Sequence, residues 1–322
     1  DFDNITEADT ENLIALARCR QKTGDLNAAK EAIQSIKNLY SNKKAVLALA
    51  RIYAYMGKYS EAEATIKGWS DWLKDKDMLL TLARFNEETD RFDSASQNLM
   101  AIEDWENDRI VLLALGRCYY TAGKLGKAEK TFQKIEGWEE DSEVLLSLAY
   151  CKSTQKYYDE AIVYFQKIRN WQENFHASLG VIRCQQALAE CNMEASYEEL
   201  SKQFPHNPQA QLSAIVYQES LDVDPEIIKR RYTKFVSKKK FSDYLPGYYN
   251  YCRFLVERKD PLAWRYLHIA LKKFNYSASF YLLKAKMYRE QDKLEECLRT
   301  LISSTQQFPF HVATYLELIR HH

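Results

Sequence analysis

The sequence predicts an all-α protein, an α-solenoid of about nine antiparallel helix pairs. Three observations carry that expectation. Small residues recur every 33 positions at Ala29, Ala62, Ala95, Ala128 and Ala161, and a second set does so at Ala17, Ala50, Ala83, Gly116 and Ala149. Aromatic residues keep the same step at Trp72, Trp105, Trp138 and Trp171, with Leu39 in that place in the first unit. Between the two small sets fall Gly24, Gly57 and Gly123, with Asp90 and Lys156 substituting. Self-similarity at a period of ~20–50 residues marks a stacked array.

Each unit reads as two helices, most plainly in residues 112–138, LLALGRCYYTAGKLGKAEKTFQKIEGW. Leu112, Leu115, Gly116 and Tyr119 recur at helical spacing. The pattern stops at Gly123, where glycine supplies the left-handed residue that ends a helix. Leu125, Ala128, Phe132 and Ile135 then place an apolar face on a second helix. A small residue at the crossing lets two backbones approach, and a large aromatic one turn later fills the space beside it. One pair cannot bury its apolar face alone, so neighbours must stack.

These motifs resemble the tetratricopeptide repeat family. GRCYYTAGKLGKAEKTFQKI and ARIYAYMGKYSEAEATI match its small–x–x–Tyr, Gly–x–Tyr/Leu–x–x–Ala and Phe/Ile columns over residues 10–183, and the pattern returns near 277–309. Two features depart from the family. The proline that often begins the link to the next repeat is missing from the first five units, and tryptophan stands near the end of each second helix where leucine is usual. The resemblance implies a right-handed superhelix whose first helices line a concave groove, acting as a protein-interaction module.

Taken in order, residues 1–9 are expected to be an aperiodic acidic lead-in. Five units follow at 10–42, 43–75, 76–108, 109–141 and 142–174, and a sixth begins near Phe175 and ends at Phe204-Pro205. Regular repeats are thus assigned to 10–204 and degenerate helical repeats to 205–322, in one continuous solenoid. After residue 204 the spacing shifts. Gln209–Leu221 reads as a helix, and Asp224-Pro225 is an acid cap followed by a first-turn proline, opening a helix to Ser237. Asp260-Pro261 repeats the device, with Tyr248–Arg258 as the preceding partner. The last unit is Ser277–Phe308, and residues 310–320 are expected to cap the array. The chain opens Asp1-Phe2-Asp3 without an initiating Met, which reads as part of a longer protein, and His321-His322 reads as the stub of a purification tag.

Composition agrees with a helical array: 322 residues carry only 9 Gly and 6 Pro. The 45 basic and 45 acidic side chains balance, so overall charge selects neither nucleic acid nor membrane and any preference must be local. No apolar run approaches the ~20 residues of a membrane helix. Of seven cysteines, Cys118, Cys151 and Cys184 are 33 apart and Cys19 stands in the same column. Without a C-x-x-C pair, neither metal nor disulfide chemistry is indicated, and these thiols read as small buried residues. That usage favours a reducing compartment, the cytoplasm with the nucleus as alternative.

The column that follows the small residue of each first helix holds Arg18, Arg51, Arg84 and Arg117, then Tyr150, then Arg183. By the resemblance this place points into the groove, giving a ladder of planar, bidentate cations suited to an extended acidic segment. The competing expectation is internal pairing, for example with Glu87 beside Arg84. A basic run, Lys229, Arg230, Arg231, Lys234, Lys238, Lys239 and Lys240, contains no acid and is interleaved with Tyr232 and Phe235. It fits either an anionic partner or a solvated helix face ending in basic residues. The tryptophans read as packing between units rather than as stacking platforms.

No phosphate-cradling glycine loop, H-E-x-x-H or nucleophile elbow is present, so neither catalysis nor a cofactor or metal is expected. The sequence points to a scaffold holding a peptide or helix of another protein. An accessory region of a larger enzyme, such as a glycosyltransferase or kinase, and a nucleic-acid-binding array are the alternatives.

Overall fold

One side chain marks where each of six consecutive first helices begins. Asn42, Asp75, Asp108, Asp141, Asn174 and Asn207 follow one another at 33-residue steps. In the computed structural model each accepts backbone N–H bonds from the first turn of the helix it precedes. A cap of this kind satisfies donors that a helix end otherwise leaves orphaned and contributes about 1 kcal/mol. The structure describes residues 7–188, 193–275, 277–308 and 311–320.

Residues 1–171 form one compact unit and residues 172–322 a second. The first holds five helix pairs: α1 (Glu7–Lys22) with α2 (Leu26–Gln34), α3 (Lys43–Tyr55) with α4 (Tyr59–Lys67), α5 (Lys76–Glu88) with α6 (Phe92–Met100), α7 (Arg109–Thr121) with α8 (Leu125–Phe132), and α9 (Ser142–Thr154) with α10 (Tyr158–Lys167). The second holds four: α11 (Phe175–Ala187) with α12 (Glu194–Gln203), α13 (Pro208–Ser220) with α14 (Pro225–Ser237), α15 (Leu245–Glu257) with α16 (Ala263–Lys273), and α17 (Ala278–Glu290) with α18 (Leu294–Gln307). A single helix, α19 (Val312–Ile319), follows. The described residues are therefore helical in nine pairs plus a closing helix, as the periodicity predicts.

Two expectations about order need correcting. Helix α1 begins at Glu7, inside the expected lead-in, while residues 1–6 and the terminal histidines lie outside the described residues. Nor is the register lost after the sixth unit. Every first helix from α3 to α17 is 13 residues long. Their starts step by 33 from Lys43 to Pro208 and again from Leu245 to Ala278. Only the step from Pro208 to Leu245 is longer, by four residues, and that stretch contains a 3-10 turn, Lys239–Phe241, with Phe241 buried.

Wherever it is described, the turn within a pair keeps its register too. Gly24, Gly57, Asp90, Gly123 and Lys156 all have positive φ, and so do Asp222, Lys259 and Asp292 in the second unit. Each pair buries a repeating set; in α3 it is Ala45, Val46, Leu49, Ala50 and Ile52, met by Ala62 and Ile66 of α4. At the α7–α8 crossing Phe132 lies so close to Gly116 that a Cβ there would collide with its ring.

The tryptophan column sits on the links between pairs rather than at the ends of second helices. Trp72 opens a 3-10 turn, Trp72–Lys74, as Leu39 opens Leu39–Ser41. It is half-buried against both the cluster containing Val46 and Ile66 and the one containing Leu79 and Leu99. Packing between consecutive pairs is its visible role. Trp69 joins the first of these clusters, and Trp264 packs against Tyr288 with ring centroids 4.9 Å apart. A second tie links consecutive pairs. Lys43 reaches Asp75 at 2.8 Å, Arg109 reaches Asp141 at 2.8 Å, and Lys76 pairs with Asp108 between them. The capping aspartates thus hold both their own helix and the preceding first helix.

In the second unit Asp224 caps α14 as expected. Asp260 instead accepts from Leu262 N at 2.8 Å, and α16 starts only at Ala263. Pro261 occupies the connecting turn, not the first helical turn.

Candidate functional site

The ladder residues fall at one place on the first helices, on the side opposite the buried set. Arg18, Arg51, Arg84 and Arg117 are exposed in the first unit. Tyr150, half-buried, packs edge-on against Phe165 with centroids 5.4 Å apart, so it belongs to the α9–α10 interface. Because α3 and α5 carry the same register side by side, Arg51 and Arg84 line one pocket of about 500 Å³. Ala54, Leu80 and Phe85 give it an apolar wall, and Tyr55 and Tyr59 flank it.

The charges in this pocket are unevenly satisfied. Arg84 Nε bonds Glu88 Oε1 at 3.0 Å, an exposed pair one turn apart on a single helix. Burial and then the charge of Glu88 hold the Tyr59 hydroxyl above its ordinary pKa, so it stays protonated and donates to that carboxylate. Arg51 has no ion pair or hydrogen bond among the described residues. Glu87 does not bind Arg84; it lies near Arg117 of the next first helix. Burial raises its pKa more than Arg117 and Arg84 lower it. A free guanidinium beside an apolar wall can take a carboxylate and a neighbouring apolar side chain together.

Arg183 is exposed in the second unit and lines a pocket of about 510 Å³ with Gln186, Tyr197, Gln209, Tyr244 and Asn250. The Tyr197 hydroxyl donates to Gln186 at 2.7 Å, and burial raises its pKa against the pull of Arg183. No acid lines this pocket. Sequence reasoning missed Arg253 and Lys286, which hold the ladder place on α15 and α17 once the four extra residues are allowed for. A constant 33-residue step from Val216 lands on Tyr249 instead.

The basic run is divided by its helix. Lys229 pairs with Asp260 at 2.6 Å and Arg231 with Glu198 at 3.4 Å, so both are structural. Lys240 donates to the Pro205 carbonyl at 2.7 Å and lies 4.8 Å from the centre of the Phe241 ring. Lys238 sits over the same ring at 5.4 Å. Burial, then Lys240 and Lys234, lower the pKa of Lys238. Arg230, Lys234 and Lys239 remain exposed. Tyr232 and Phe235, the aromatics that interleave with the run, are buried and unavailable for base stacking.

Cys118, Cys151, Cys184, Cys252 and Cys297 are buried, as the small-residue reading expects. Burial pushes the thiols of Cys118 to about 11 and of Cys151 to about 12, which keeps them protonated. Cys19 departs from its column by being exposed, because α1 has no earlier described pair to cover it. Cys191 lies outside the described residues. Among the described residues no group of three or more His, Cys, Asp or Glu could hold a metal ion, and no helix is long and apolar enough to cross a membrane.

No family profile and no curated protein matches the chain. Among solved structures it is similar to PilF of Pseudomonas aeruginosa, at 18% identity and a TM-score of 0.47, over 66% of this chain and 97% of that one. A tetratricopeptide repeat protein from Parabacteroides merdae is 15% identical with a TM-score of 0.43, covering 97% of this chain and 98% of the other. The C-terminal part of a repeat-containing protein from Cytophaga hutchinsonii is 18% identical with a TM-score of 0.47, over 71% and 98%. The chain's own helix pairs, and not these distant likenesses, define it as an all-helical tetratricopeptide-like repeat array.

Proposed function

We propose that the chain is a non-catalytic interaction scaffold whose first-helix face holds an extended segment of a partner protein. The observation that carries this reading is the pocket between α3 and α5. There two ladder arginines, one of them unpaired among the described residues, stand beside an apolar wall. The partner segment is acidic and carries an apolar side chain next to the acid, the one for Arg51 and the other for Leu80 and Phe85. Arg18 and Arg117 extend the same preference along the first helices of residues 1–171, and Arg183 offers it separately within residues 172–322. The setting is the cytoplasm, where the five buried thiols remain reduced.

Peptide display against the full chain, followed by titration of the selected peptides, tests this. Enrichment of acidic–apolar sequences is expected. Arg51→Ala/Arg84→Ala should weaken their binding about tenfold to a hundredfold, the loss of one or two charge-assisted hydrogen bonds. Selection without a consensus, or equal affinity for the variant, would reject the groove as the site.

A further inference from the structure

The chain is neutral overall, yet its charge is not evenly spread over the second helices. On α14 Ile227, Arg230 and Lys234 lie exposed at the spacing of one helical stripe, and the exposed Glu226 at the helix start lies 3.5 Å from Lys229. On α16 they are Arg265, His268, Ile269 and Lys272, again one stripe, and α16 contains no acid at all. On α18, by contrast, the exposed residues mix signs, with Glu295, Glu296 and Arg299.

Two ion pairs hold the basic helices side by side. Lys229 near the start of α14 reaches Asp260, just before α16, at 2.6 Å. Lys273 at the end of α16 reaches Asp243, in the segment after α14, at 2.9 Å. Asp260 is largely withdrawn from solvent in its pair, whereas Asp243 stays exposed with its charge matched by Lys273. Arg230, Lys234, Lys239, Arg265 and Lys272 are left with no ion pair or hydrogen bond among the described residues.

We propose that this outer face of α14 and α16 docks on an anionic lipid bilayer. Each stripe sets an exposed isoleucine among its cations, Ile227 at 47% and Ile269 at 38% exposure. Apolar side chains in a basic stripe enter the boundary between headgroups and acyl chains, while the cations meet anionic headgroups. A nucleic acid fits less well. Its backbone has no use for the isoleucines, and the neighbouring Tyr232, Phe235 and Phe241 are fully or almost fully buried. The attachment is peripheral and uses none of the helices that form the α3–α5 pocket.

Cosedimentation of the full chain with phosphatidylcholine vesicles, with and without phosphatidylserine, tests the proposal. Binding is expected only with phosphatidylserine and should fade as salt rises. Each cation removed should weaken it about fivefold, so Arg230→Gln/Lys234→Gln and Arg265→Gln/Lys272→Gln should each cost about 25-fold. Ile227→Ser/Ile269→Ser should weaken vesicle binding while leaving retention on heparin unchanged. Arg51→Ala/Arg84→Ala should bind vesicles normally, which separates this result from the fate of the groove reading. Circular dichroism of each variant checks that the surface changes leave the helices intact. Vesicle binding that survives all four charge changes would overturn the proposal. So would binding to a polynucleotide, through the same cations, by a chain that ignores phosphatidylserine vesicles.

Discussion

Arg84 and Arg253 occupy the same step of two first helices, α5 and α15, and meet opposite fates. Each grips a glutamate one turn on, Arg84 to Glu88 at 3.0 Å and Arg253 to Glu257 at 2.7 Å. The Arg84 side chain is nevertheless 66% exposed and that of Arg253 27%. The cause lies on the preceding first helix. Near the end of α13 stands Glu219, whose two oxygens take Arg253 Nη2 at 2.9 and 3.0 Å and which accepts from the Tyr232 hydroxyl at 2.7 Å. The matching place on α3 is Ala54, and the space it leaves is part of the pocket that holds Arg51 and Arg84. Between these extremes, Arg117 faces Glu87, which holds that place on α5. A column of arginines is therefore not one site. What stands opposite each arginine decides whether it binds the fold or is free to bind something else.

The sharpest way to test that contrast is to remove the two acids separately. Glu219→Gln should destabilise the protein by roughly 3 kcal/mol, because a half-buried guanidinium loses its counter-charge and Arg253 and the Tyr232 hydroxyl must share one acceptor oxygen in place of two. Glu88→Gln, in an exposed pair, should cost no more than about 0.5 kcal/mol. Guanidinium unfolding followed by circular dichroism reads both. Equal costs would mean that the two arginines are not differently placed.

The reverse exchange should close the pocket. Ala54→Glu puts a carboxylate where α13 has one, next to Arg84. Binding of peptides selected on the native chain should fall about tenfold or more, the loss of one charge-assisted contact, with stability changed by no more than about 0.5 kcal/mol. Full binding by this variant would sever the link between the free arginine and the partner.

The caps offer a comparison by pH. Asp75, Asp108 and Asp141 open first helices in residues 1–171, whereas Asn174 and Asn207 do so in residues 172–322. Burial pushes the three carboxyls up, but hydrogen bonds from Lys43, Lys76 and Arg109 and from the helix N–H groups leave each below its ordinary pKa. A depressed folded pKa adds stability that is fully present above the unfolded value near ~3.9 and drains as pH falls through the folded one. Changing all three to Asn keeps the caps and removes the titration. The variant should start somewhat less stable at neutral pH and lose less on acidification from about pH 5 downward. Parallel acid profiles for the two proteins would show that the caps do not carry the effect.

The same comparison explains what could be read in advance. In the first unit the period is visible because its turns use glycine at Gly24, Gly57 and Gly123 and its crossings use alanine. In the second unit the same turn position holds Asp222, Lys259 and Asp292, and the column beside the crossings holds Ile182, Ile215 and Cys252. The geometry is kept while the residues that announce it are exchanged, and four extra residues after α14 break a count at fixed step. The cap column at Asn42 through Asn207 carried the register further and could have been used, since Asn or Asp before an apolar run is a start signal. The ladder was legible as a column; the acids opposite it were not, because they come from a different helix and only packing pairs them.

The turn column supplies the smallest test. Lys156 and Lys259 adopt φ of 68° and 52°, where a Cβ crowds its own backbone, while Gly123 does the same task at φ 72° without that cost. The hydrogen bonds are alike: Lys124 N reaches Tyr119 O at 2.8 Å, Tyr157 N reaches Lys152 O at 2.9 Å, and Asp260 N reaches Leu255 O at 2.9 Å. Glycine at either lysine position relieves the strain but gives the unfolded chain more freedom, so the two effects partly cancel. Lys156→Gly and Lys259→Gly should each stabilise by about 0.5 kcal/mol, and Gly123→Lys should destabilise by about 1 kcal/mol. Thermal melts of the three variants would show it. A loss of stability on Lys259→Gly alone would mean that the second unit's turn is held by that side chain, and not only by the backbone bonds it shares with the first.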